Sequence, residues 1–191
     1  GLFDNEVSPI QIPQRRGEPL TIKEDEEFKN INFEKFKNLR TVFKKDGTIT
    51  AGNASTINDG AAAVVLMSEE KAKELNIKPL AKIISYADAS QEPKWFTTTP
   101  TQALNKALKK SNLTKEDIDY WELNEAFSVV GLANIQKLGI NPEKVNIHGG
   151  AVSLGHPLGC SGARILVTLM NILENKNAKL GAAGICNGGG G

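Results

Sequence analysis

Cysteine is scarce: Cys160 and Cys186 are the only two in 191 residues. They share no repeated spacing, which excludes a disulfide framework and makes a reducing compartment the expectation. With His148 and His156, the only histidines, they match the count of a zinc site. No Cys-x-x-Cys pair and no closely spaced His pair is present, so zinc is set aside. An excess of one charge is also lacking. Lys+Arg at 23 against Asp+Glu at 22 leave +1, which gives no long-range field for nucleic acid or an anionic membrane. No apolar run reaches transmembrane length, and no signal peptide opens the chain. A Gly-x-Ser-x-Gly elbow is missing around Ser153, and no Walker lysine follows the glycines, so hydrolase and nucleotide-phosphate readings are weak.

What is present is globular. Hydrophobic residues make up 40% and charged residues 24%, and the length suits one domain with a real core. The chain begins Gly1-Leu2-Phe3 without an initiator Met and stops in four glycines after a strand-like run. This reads as a fragment, with any targeting peptide upstream.

Residues 1–46 are polar, with Phe28, Phe33, Phe36, Leu39, Val42 and Phe43 as the anchors expected to hold this arm on a core. A short strand is expected over 47–51, a buried strand over 61–67, and a helix from a Ser68 cap to about Asn76. Another strand is expected over 80–87. Thr99-Pro100-Thr101-Gln102 reads as a capping box opening a helix to about Ser111. Thr114 to Asp117 resembles a single capped turn, and 119–123 a short strand. A helix is expected to open at Asn124 and a second at Ser161; both are apolar nearly all round, which implies a further layer outside them. Residues 179–185 form the last strand. Strands alternating with helices argue for an α/β sheet with helices on both faces.

Residues 148–164 hold five glycines, His156 and Pro157 between a strand-like approach and an apolar helix. Clustered glycine implies φ > 0 or close backbone approach, and Pro157 biases His156 to an extended backbone. The result is a rigid loop presenting one imidazole. Cys186, at the end of a buried strand and before Asn187 and the glycines, is placed to move a proton to or from a carbon acid; the bare N–H groups after it suit an oxyanion. His156 is placed to activate a nucleophile or donate to an oxyanion. Each has a plainer alternative: a buried cysteine is more often a small core residue, and Asn124 alone is more often an N-cap.

Three motifs in order raise the specificity. Asn124-Glu125-Ala126-Phe127, the run from Gly149 to Pro157, and Cys186-Asn187-Gly188-Gly189-Gly190 resemble the C-terminal motifs of the thiolases, nearest to their acetyl-CoA-condensing branch. Asn53-Ala54-Ser55 and Asn58 to Ala62 extend the resemblance over nearly the whole chain. It implies a layered thiolase-like α/β fold, with helices on both faces of a mixed five-stranded sheet. Residues 1–46 would be the end of the loop domain and its arm, and 47–191 the C-terminal domain without its final strand. By the same resemblance His156 activates the nucleophile and lines a first oxyanion hole, Asn124 holds the water completing it, and Cys186 takes the α-proton. Gly188 serves a second hole through its N–H, Ser55 contacts the pantetheine of coenzyme A, and Phe127 lines the substrate pocket. One mitochondrial branch holds a potassium ion, whose ligands here would be the carbonyls of Ala51, Gly52, Ala54 and Val152, with Gly52 in place of that branch's alanine. No metal or cofactor is otherwise required.

The implied reaction is the reversible condensation of two acetyl-CoA to acetoacetyl-CoA and CoA. The alternatives are a degradative 3-ketoacyl-CoA thiolase and a non-catalytic CoA-binding or structural partner. The family's nucleophilic cysteine is not in this chain, and Cys160 does not replace it. The implied partners are therefore CoA thioesters, an N-terminal half carrying that cysteine, and further copies in a dimer or tetramer, with no nucleic acid and no membrane. A cytoplasmic location is the expectation, with mitochondrion and peroxisome as the alternatives.

Overall fold

The computed structural model describes residues 1–191. Its elements are β1 (Ile10–Ile12), β2 (Leu20–Ile22), α1 (Phe33–Phe36), α2 (Glu69–Glu74), α3 (Thr99–Lys110), β3 (Tyr120–Leu123), α4 (Ser128–Leu138), α5 (Ala151–Leu154), α6 (Ser161–Asn175) and β4 (Gly181–Gly184). β1 and β2 form an exposed antiparallel hairpin in the arm.

The centre is the parallel pair β3–β4, in register from Tyr120↔Gly181 to Leu123↔Gly184. β4 is Gly-Ala-Ala-Gly, and its lack of bulk lets helices approach both faces. A Cβ on Gly181 would lie 2.8 Å from Leu169 of α6, and one on Gly184 would lie 3.2 Å from Leu104 of α3. On the α3 side Leu104, Leu108, Ile118, Trp121, Leu123, Leu138 and Val145 form the core. Ile165, Leu169 and Ile172 of α6 are buried on the other. Helices therefore cover both faces of a β layer, as the α/β reading requires. Val145 bridges Trp121 on the second edge of β3.

Local signals account for several boundaries. The Ser68 hydroxyl accepts from the Lys71 amide at 3.1 Å to cap α2. Thr114 donates through its amide and hydroxyl to the Asp117 carboxylate, closing a single 3₁₀ turn. Thr99 does not cap. It is the first residue of α3, reached directly from a preceding 3₁₀ turn, and its buried hydroxyl donates to the Gly190 carbonyl at 3.0 Å.

Other expectations are corrected. α4 opens at Ser128, four residues after Asn124. The Asn124 amide donates to the Gly184 carbonyl and so prolongs the sheet, while the Ala126 carbonyl is taken by Ser55. Residues 47–51 make a single bridge, Thr41↔Thr50. Residues 61–67 and 80–87 join no ladder, with Val65 and Leu80 each 85% exposed. Their apolar runs are built to be buried, yet most of these side chains are exposed, and Lys110 is what reaches the Tyr86 ring and carbonyl. The arm's aromatics also stand out, with Phe33 at 77% and Phe43 at 72% exposed. The start of the arm is held by polar contacts instead: Asn171 Nδ2 donates to the Leu2 carbonyl, and Thr168 Oγ1 to Glu6. The accessible surface, 13386 Å², far exceeds the roughly 8,900 Å² of a compact monomer of this mass.

Candidate active site

Parallel neighbours deliver their C-terminal ends to the same side, where open α/β sheets bind ligands. β3 ends into Asn124, and β4 ends through Ile185 into Cys186. A third segment arrives from α5. Gly155 has φ of +98°, and a Cβ there would collide with the Asn58 amide, so both the backbone and the space demand glycine. The next residue, His156, is pinned as extended chain: its amide donates to the Thr56 carbonyl at 2.9 Å and to Asn58 Oδ1 at 3.2 Å.

The imidazole that results is buried and bonded at both nitrogens. Nδ1 lies 2.6 Å from Ser161 Oγ, and Nε2 lies 3.3 Å from Asn124 Nδ2. Burial, reinforced by the nearby Arg164 guanidinium, holds its pKa below the usual value, so the ring is neutral at neutral pH. Asn124 is itself buried, and its Oδ1 has no partner. Cys186 is a free, half-buried thiol whose pKa burial pushes up, so it rests protonated. Beyond it the glycines divide. The amides of Gly189 and Gly190 donate to Asn187, whereas that of Gly188 makes no bond within the chain and remains available to an oxyanion.

Ser55 sits beside this site as a brace, its amide and hydroxyl both donating to the Ala126 carbonyl, at 3.1 and 2.9 Å. Phe127 opens α4 and packs edge-on against Phe43, with centroids 5.9 Å apart. The carbonyls of Ala51, Gly52, Ala54 and Val152 accept no hydrogen bond, which leaves four neutral oxygens of the kind a hard cation takes. Two residues of the reading stay apart from the chemistry. His148 packs against the Phe3 ring beside a cavity of about 380 Å³ lined by the arm. Cys160 is buried, and burial pushes its thiol up.

Three supports escaped the sequence reading. Ser161 opens α6 as expected, but its side chain serves His156. Glu125 accepts from Asn146 Nδ2 at 2.8 Å and from the Val152 amide at 3.3 Å, tying the glycine loop to the end of β3. A Cβ at Gly150 would strike that carboxylate. The signal for Asn146 was its residue type, because Asn tolerates the left-handed backbone it adopts at φ 48°. The third is Glu122, fully buried in β3 with Arg164 Nη1 3.4 Å away. Its burial outweighs that cation and pushes its pKa up to about 8.

Residues 77–191 match the family model "Thiolase, C-terminal domain", and residues 1–70 match "Thiolase, N-terminal domain". The whole chain aligns at 57% identity with 48% of the cytosolic acetyl-CoA acetyltransferase ERG10 of Gibberella zeae. It aligns at the same identity with 45% of the mitochondrial acetyl-CoA acetyltransferase of Rattus norvegicus. The crystal structure of the Bacillus anthracis acetyl-CoA acetyltransferase superposes with a TM-score of 0.95 and 46% identity, covering 100% of this chain and 48% of that one. The chain thus spans about half the length of the curated relatives it matches. With two of the family's models covering nearly all of it, this chain belongs to the thiolase family.

Proposed function

We propose that this chain supplies the acid–base wall of an acetyl-CoA C-acetyltransferase, which condenses two acetyl-CoA to acetoacetyl-CoA and CoA and runs the reverse thiolysis. The observation that carries the reading is the buried Asn124–His156 pair at the end of β3, beside the strand that ends in Cys186. Relatives of that name at 57% identity support it.

The chemistry follows from the protonation states. A nucleophilic cysteine, supplied by an N-terminal half, gives its proton to His156 and attacks the thioester carbonyl of the first acetyl-CoA. The imidazole, together with a water on Asn124, faces the oxygen that becomes negative. Cys186, resting as a thiol because it is buried, protonates the departing CoA thiolate and becomes a thiolate itself. In that form it takes a methyl proton from the second acetyl-CoA, whose developing enolate oxygen meets the free Gly188 amide. The new C–C bond forms as the C–S bond to the acylated cysteine breaks, and the released cysteine thiolate takes its proton back from His156. Ser55 and Phe127 flank the acyl-CoA path. A potassium ion would take the carbonyls of Ala51, Gly52, Ala54 and Val152 and would stiffen the Ser55 loop against α5, with no part in bond making.

The surface exposed by 61–67, 80–87 and the arm supports an assembly in which other protein covers this chain: the N-terminal half and, in a dimer or tetramer, further copies. A cytosolic and a mitochondrial relative are equally similar; the setting we propose is cytosolic, with the mitochondrion as the alternative. The test is thiolysis of acetoacetyl-CoA. The intact enzyme turns over, the 191-residue chain by itself does not, and Cys186→Ala in the intact enzyme loses roughly 10²–10⁴ in kcat. Equal turnover of long 3-ketoacyl-CoAs would instead indicate the degradative enzyme. Thiolysis by the verified 191-residue chain would overturn the need for a second half.

A further inference from the structure

The hydrogen bonds of Ser161 bear on which nitrogen of His156 carries the proton. We propose that Ser161 is a positioning residue that holds His156 as the Nδ1–H tautomer, leaving Nε2 as the nitrogen that exchanges protons. Two independent contacts lead to the same tautomer. The Ser161 hydroxyl has one proton, which it donates to the Pro157 carbonyl at 3.1 Å; its oxygen therefore receives the hydrogen of Nδ1 at 2.6 Å. At the far side of the ring Nε2 faces Asn124 Nδ2, a donor without a lone pair, and so Nε2 is bare. The placement is rigid because Ser161 is fully buried at the first turn of α6, and Pro157, which anchors its hydroxyl, directly follows the histidine.

This arrangement has a direction. When Nε2 gains a proton it ceases to accept from Asn124, and two donors face each other. Asn124 Oδ1 is buried and without a partner. It is the acceptor that meets Nε2–H if the amide turns over, or that holds a water when the imidazolium turns to a substrate oxygen. Throughout, the Nδ1–H to Ser161 bond is unchanged, so one face of the ring is an anchor and the other a proton port. The charged group acting on the ring is Arg164, from the same helix as Ser161. The tautomer stands on the geometry alone, and its use in acyl transfer rests on the function proposed above.

The experiment is ¹⁵N NMR of the chain labelled in histidine. Two histidines give two imidazole spin systems, and His148→Gln assigns them. At neutral pH the His156 Nδ1 is expected to be protonated and Nε2 bare. Ser161→Ala is expected to give a mixture of tautomers, and in the intact enzyme to lower kcat roughly 10- to 100-fold with little change in KM. Ser161→Thr, which keeps the hydroxyl, is expected to restore the wild-type tautomer. A wild-type ring protonated at Nε2, or a tautomer unmoved by Ser161→Ala, overturns the proposal. An intact enzyme without acyltransferase activity but with the expected tautomer overturns the proposed function and supports the role of Ser161.

Discussion

Of the 28 buried residues, Ala72 alone precedes Thr99. Residues 99–191 hold the sheet, three helices of eleven residues or more and the whole apolar core. Residues 1–98 are mostly exposed and hold only short elements, yet they supply Thr56 and Asn58, which fix the backbone of His156, and Ser55, which grips Ala126. The two regions are positioned by different physics. The second is positioned by burial, which is strong and non-directional; the first is positioned by polar seams, which are individually modest but specify register. The His156 imidazole sits where they meet, its backbone held by the first region and its ring by the second.

The comparison can be broken at its strongest point. Trp121→Ala empties the centre of the core and is expected to cost about 3–5 kcal/mol in urea unfolding. A cost near that of an exposed aromatic would end the distinction between the regions. Gly155→Ala attacks the seam by forcing a side chain into left-handed backbone and against Asn58. It is expected to cost about 1–3 kcal/mol and to remove the protection of the His156 amide in hydrogen exchange. Unchanged protection there would mean that the seam does not position the loop.

A third probe tests the polar group inside the packed region. Folded, Glu122 keeps its proton up to about 8, whereas an ordinary carboxyl releases it near 4.5. Above that lower value the unfolded state binds fewer protons, so stability falls as pH rises between the two values. The slope is at most about 1.4 kcal/mol per pH unit. Glu122→Gln is expected to flatten that fall, and a parallel pH profile in wild type and variant would remove Glu122 as its cause. The smallest effect belongs to the exposed arm. Phe33→Ala is expected to change the stability of this chain by less than about 0.5 kcal/mol, and a larger loss would show that the arm is packed after all.

Legibility divided along the same line. The helices of the packed region, the capped turn at Thr114, and the strands ending in Asn124 and Cys186 were readable, since burial writes a periodic apolar pattern. The strands at 61–67 and 80–87 were misjudged because an apolar run records that a segment is meant to be covered, not by what. Phe33 failed as an anchor for the same reason, whereas Phe43, though exposed, meets Phe127 edge-on. At the site, Ser161 was legible only as the start of a helix, and Glu125 and Asn146 carry side chains that suit any loop.

The sequence by itself determined the chemical inventory: one imidazole in a glycine-rich loop, one thiol at a strand end, and an asparagine before an apolar helix. Residue type and spacing suffice there, because glycine, proline and apolar periodicity act locally. Only the tertiary structure decided which groups meet and in what protonation state. The parallel register of β3 and β4 brings Asn124 and Cys186 to one end. The burial of His156, Glu122 and Cys186 displaces their proton affinities. Both depend on neighbours distant along the chain, and desolvation is a property of the packed environment rather than of the residue.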